Sequence, residues 1–148
     1  MKILLTTCLS LLLVAGLSMS ASAQTKEQHH ATVAEHHAKV LEHTAALKAG
    51  SGMSKTDMEK HEKLAGEHLT KAHQAHKAME GKMTAAEKAK PEHLAVKKHH
   101  AEAMMHHKAL HEEVSKAKPD EAKVKEHAAK LHESITKASE QHKMAHKK

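Results

Sequence analysis

Two stretches, HHATVAEHH at 29–37 and HHAEAMMHH at 99–107, share one spacing: two adjacent histidines, five residues, then two more. The chain holds 19 histidines and 9 methionines but no Phe, Tyr or Trp. Neutral imidazole is the commonest protein metal ligand, and a thioether adds a soft donor. On a helix, side chains three or four residues apart can converge on one ion. Adjacent histidines point about 100° apart, so a doublet serves two neighbouring helices rather than one chelate. Several groups have chelating spacing. His100, Met104, His107 and His111 form one stripe, and His73, His76 and Met79 a second. His61 follows Asp57 and Met58, and His142 precedes His146 by four. His30 and His37 stand in the first repeat at seam positions. A mixed imidazole–thioether set favours copper, Cu(I) above all, or silver, while imidazole alone also takes nickel or zinc.

The elements that must position these residues read as helices. Alanine, lysine, glutamate and histidine dominate, and β-branched residues are few. Thr25 with Gln28 and Thr84 with Glu87 have capping-box spacing, AGSG at 49–52 stops a helix, and KAKPD at 116–120 breaks the chain again. These marks predict helices at about 25–48, 54–80, 85–117 and 119–146, with Pro91 in the first turn of the third or kinking it, and Pro119 starting the fourth. Short connections make sequential neighbours antiparallel. The expected fold is all-α, an antiparallel up-down four-helix bundle. The repeat of helix 1 in helix 3 suggests a duplicated helical hairpin.

Heptad seams follow from the same periodicity. Val33, Val40 and Leu47 alternate with His30, His37 and Thr44 in helix 1. Val96, Ala103, Leu110 and Ala117 alternate with His93, His100, His107 and Val114 in helix 3. Helix 2 offers Met58, His61, Ala65, His68, Ala72, Ala75 and Met79, and helix 4 offers Val124, Ala128, Leu131, Ile135, Ala138, His142 and Ala145. Alanine buries little area and no aromatic ring adds any, so the core should be weak.

The first 23 residues read as a cleaved secretory signal peptide: Lys2, an apolar run from Ile3 to Leu17, and Ala21-Ser22-Ala23 before the expected cut. Residues 24–148 are then the working domain, and the single cysteine, Cys8, lies in the leader. The domain therefore has no disulfide, thiolate ligand or cysteine nucleophile. The formal charge of the whole chain is +6 with neutral histidines, and it climbs steeply in mild acid as imidazoles near pKa 6.5 protonate. Here the chain resembles bacterial periplasmic His/Met-rich proteins of copper and silver resistance, through the leader, the lack of a later cysteine, and the segments HQAHKAM (73–79) and HKMAH (142–146). What the resemblance implies is metal sequestration in the periplasm or outside the cell. The alternative is an acid-stress protein, a histidine- and lysine-rich proton buffer or pH-responsive helical scaffold.

Other classes find little support. A ferritin-like di-iron site needs inward glutamates with two E-x-x-H motifs, and only Glu27–His30 fits. No catalytic constellation is expected. Nucleic-acid binding is not expected either, given export, interspersed glutamates, and no arginines or aromatics. No membrane span is expected after the leader. Metal ions are the expected partners, with self-association through bundle faces and weak adhesion to anionic surfaces as further options.

Overall fold

Polar side chains set where each helix begins. Thr25 accepts from the Gln28 amide, and Gln28 returns a side-chain acceptor to the Thr25 N–H, closing a capping box at the start of α1, Lys26–Ala49. Ser54 caps α2, Lys55–Glu80, by accepting from the Asp57 amide. Between them Gly52 adopts φ +69°, a left-handed conformation that glycine takes without steric cost. The structure, a computed structural model, describes residues 24–145. The expected leader and His146 lie outside the described residues.

The third expected helix is two. Thr84 and Glu87 close a capping box on α3, Ala85–Lys88, and the chain then breaks before α4, Pro91–Val114, with Pro91 at its first turn. The proline explains the break: its ring crowds the preceding residue out of the helical region and it has no N–H to donate. Lys90 is accordingly extended at ψ 136°. The last helix also starts later than expected. Asp120, rather than Pro119, stands at its cap and accepts from the amides of Ala122 and Lys123, and α5 runs Glu121–Ala145.

The four long helices form an all-α bundle in which α1 packs on α2 and α5, and α4 packs on α5 and α2. Contacts fix the sense. His36 meets His68 and His43 meets His61 across α1 and α2, so the register runs antiparallel. His30 meets His142, and Thr44 meets His132, likewise antiparallel across α1 and α5. Helices α1 and α4 are thus diagonal to one another. The sequence repeat would place His30 opposite His100, but the structure brings His37 to His100 across that diagonal, one heptad away.

The core has two unlike halves. Val40, Leu47, Met58, Leu69, Ala103, Leu110, Val114, Val124, Ala128, Leu131 and Ile135 form one apolar cluster. It lies toward the end closed by the α1–α2 and α4–α5 turns. The other end buries His29, His37, His76, His93, His100 and His142 among Val33, Val96 and Met79.

Helix 2 departs from its expected seam. Glu62 and Leu69 are buried where His61 and His68 were expected. Met58, Ala65, Ala72, Ala75 and Met79 are buried as expected, but a leucine gains far more from burial than an imidazole does, and a partial rotation about that column brings Leu69 inward. At the start of α1, His29 is the buried member of its doublet and His30 is half-buried, again one residue away from expectation.

Candidate functional site

The central layer of the histidine end takes one inward residue from each long helix, with His29 and His93 buried beside it. His37 comes from α1, His76 from α2, His100 from α4 and His142 from α5, and all four are 3% exposed or less. Their ring centres lie 4.9 Å apart for His37–His100, 5.1 Å for His76–His100, 6.1 Å for His37–His142 and 6.2 Å for His76–His142. A tetrahedral ion with nitrogen bonds of about 2.0 Å would set imidazole centres about 5 Å apart. The ring nitrogens are not yet gathered in that way. His37 Nε2 and His100 Nε2 stand 2.7 Å apart, which is a hydrogen bond between one protonated and one bare nitrogen. Among the described residues, no group of three or more His, Cys, Asp or Glu side chains is arranged to hold a metal ion as the rings are placed.

Several nitrogens in this end have no hydrogen-bond partner: Nε2 of His29 and His76, and Nδ1 of His37 and His100. Each such buried group costs about 1–3 kcal/mol when left unsatisfied. Burial also drives these rings toward the neutral form. Desolvation, with His76 and His36 adding repulsion, lowers His37 to about 4. Desolvation followed by repulsion from His100 and His93 lowers His76 to about 3, although Glu80 opposes the shift. Desolvation and the neighbouring His37, His73 and His99 lower His100 to about 3. At neutral pH these rings are uncharged and carry lone pairs, the state a metal requires.

The layer is buttressed. His93 Nε2 is 2.9 Å from Glu80 Oε1, Lys97 reaches the same oxygen at 3.1 Å, and the His76 ring stacks on His93 at 4.9 Å. His30 packs on His142 with ring centres 4.2 Å apart. Met79, one turn beyond His76, is 1% exposed at the same end.

The stripe of His100, Met104, His107 and His111 is divided by the fold. His100 enters the core, Met104 is 42% exposed, and His107 and His111 turn to α2. Glu62 Oε1 stands 2.9 Å from His107 Nε2 and 3.2 Å from His111 Nδ1. Burial pushes this carboxyl up, but the two imidazoles outweigh it and hold Glu62 below its usual range. Gly66 makes room for the His107 ring, which a methyl group there would overlap. These residues line a groove of about 540 Å³ between α2 and α4.

Of the other expected site residues, His73 is exposed but its ring lies 6.0 Å from His100. His61 joins a row on the α1–α2 edge that sequence reasoning did not assemble. In that row His36 Nδ1 lies 3.2 Å from His68 Nδ1, and His43 Nδ1 lies 3.3 Å from His61 Nδ1. The signal was present as histidines seven apart on both helices, His36 with His43 and His61 with His68, and antiparallel pairing brings the sets together.

Comparisons with protein-family models, curated proteins and solved structures each return no match. Among the described residues, no helix is long and apolar enough to cross a membrane.

Proposed function

We propose that this protein is an exported transition-metal binder, a buffer, scavenger or carrier with several sites, whose central site is the layer of His37, His76, His100 and His142. The observation that carries this reading is the set of buried, neutral rings with ring nitrogens on His37, His76 and His100 that have no hydrogen-bond partner. A hydrophobic core would be filled more favourably by leucine, so these nitrogens call for a ligand. Small turns of the rings would open the His37–His100 hydrogen bond and aim the nitrogens at one ion. Imidazole with the nearby Met79 thioether suits copper, with silver, nickel or zinc as competitors.

Calorimetric titration with Cu(I), Cu(II), Ni and Zn at neutral pH tests the proposal. Stoichiometric uptake is expected, and the variant His37→Leu/His76→Leu/His100→Leu should lose one equivalent. An unchanged stoichiometry in that variant would remove the core layer from the reading. Ligand at about a hundred times its dissociation constant should stabilise the fold by about 2.7 kcal/mol, a rise in thermal midpoint that the same variant lacks.

The lowered proton affinity of His37, His76 and His100 favours a second reading, a helical scaffold that opens in acid. Metal and protons compete for the same nitrogens, so both readings carry pH sensitivity. Tight uptake at neutral pH belongs to the first alone.

A further inference from the structure

The row of histidines along the α1–α2 edge has a geometry unlike the core. Each of its two rungs joins one Nδ1 on α1 to one Nδ1 on α2, His36 to His68 at 3.2 Å and His43 to His61 at 3.3 Å. Two nitrogens bound to a tetrahedral ion with bonds of 2.0–2.1 Å stand about 3.3–3.4 Å apart. The His43–His61 rung falls at that separation and the His36–His68 rung just inside it, whereas the core pair at 2.7 Å is much too close. As hydrogen bonds between neutral imidazoles, the two rungs stand at the long end of the range. All four rings are half-buried rather than sealed, so an ion and its remaining water ligands can enter from solvent. The His43 and His68 rings stack at 5.9 Å, which braces one rung against the other. The surrounding charge is mixed: Glu35 and Glu42 act on His36 and His43, while Lys71 and Lys39 oppose them.

We infer that the two rungs are a second class of metal site, each taking one borderline divalent cation of the zinc type through two Nδ1 atoms and so clamping α1 to α2. The inference rests on the metal-binding reading above but uses separate residues. Imidazole-only rungs select Zn(II), Co(II), Ni(II) or Cu(II) over thioether-seeking Cu(I). Water completes each shell, so affinity should fall below that of a fully caged site.

The test uses Co(II) as an optical probe and Zn(II) in calorimetry, with the full chain carrying His37→Leu/His76→Leu/His100→Leu so that the core layer is silent. Variants His36→Gln/His68→Gln and His43→Gln/His61→Gln each remove one rung while keeping polar, helix-compatible side chains, and circular dichroism confirms that they fold. Each pair should remove one equivalent of metal, both together should remove two, and Co(II) on the intact rungs should give the intense visible absorption of a tetrahedral centre. Unchanged stoichiometry in both paired variants overturns the inference, as does an octahedral Co(II) spectrum that the rung substitutions leave unaltered. If the core substitutions leave uptake unchanged but the rung substitutions lower it, the core site fails and the clamp stands. If the unsubstituted chain takes up no metal, both fail.

Discussion

Charging the histidine end should dismantle the apo bundle, and the size of the effect follows from three residues. In the unfolded chain an imidazole titrates near 6.5, whereas His37 is lowered to about 4 and His76 and His100 to about 3 in the folded core. The unfolded state therefore binds protons that the folded core refuses. The resulting stability is fully present above pH 6.5 and is lost as pH falls toward those folded values. At pH 5 the unfolded rings are almost wholly protonated and the folded ones almost wholly neutral, so each loses about 2 kcal/mol relative to neutral pH. Together the three lose about 6 kcal/mol, as much as the whole stability of many small domains. The perturbation is His37→Leu/His76→Leu/His100→Leu, which replaces imidazole with an apolar side chain of similar size. The assay is urea unfolding followed by far-UV circular dichroism, with a chelator present, at pH 7.5 and pH 5. The parent should be largely unfolded in acid without urea, and the variant should retain most of its neutral-pH stability. Equal acid losses in parent and variant would refute the reasoning, since the sensitivity would then lie outside the buried layer.

Three smaller expectations follow. Gly66→Ala should displace the His107 ring from Glu62, visible as moved His107 ring resonances by NMR, while overall stability changes by less than about 1 kcal/mol because alanine is the better helix former. Asp120→Ala removes the side chain that caps α5 and should cost about 1 kcal/mol in chemical unfolding, with Asp120→Asn recovering most of it. Leu131→Ala in the apolar half should cost 2–5 kcal/mol by thermal or urea melts at any pH, and an equal cost confined to acid would argue against two separate core halves.

The sequence was most legible where apolar and polar residues contrast. In α5 the expected seam of Val124, Ala128, Leu131, Ile135, Ala138 and His142 is the buried face, with Ala145 half-buried. In α1 the column of Val33, Val40 and Leu47 is buried with His37 and Thr44. In α2 the contrast holds for Met58, Ala65, Ala72, Ala75 and Met79 and fails at His61 and His68. His68 and Leu69 are adjacent, alanines surround them, and a heptad count that favours the histidine is overruled by the larger gain from burying leucine. The break at Pro91 was marked by the proline itself, but whether it kinked the helix or ended one depended on the Thr84–Glu87 cap upstream. The site was legible as composition and not as geometry. Spacing within one helix pointed to stripes such as His100 to His111, whereas the structure puts His100 in the core layer, leaves Met104 exposed and turns His107 and His111 to Glu62. The groupings that do form, the four-ring layer and the two rungs, take their members from separate helices and depend on antiparallel register, which intrahelical spacing does not carry.

The placement of the turns gives the two core halves different fates. Both single-turn connections, at 50–54 and 115–120, close the oily end, while the start of α1 and the finish of α5 sit at the imidazole end. The imidazole end is tied less fully, by the α2–α4 connection at 81–90 with α3 in it and by the Lys26–Glu87 ion pair between α1 and α3. Protonation therefore strains the end with fewer chain ties, so unfolding in acid should begin there and then spread to the oily half.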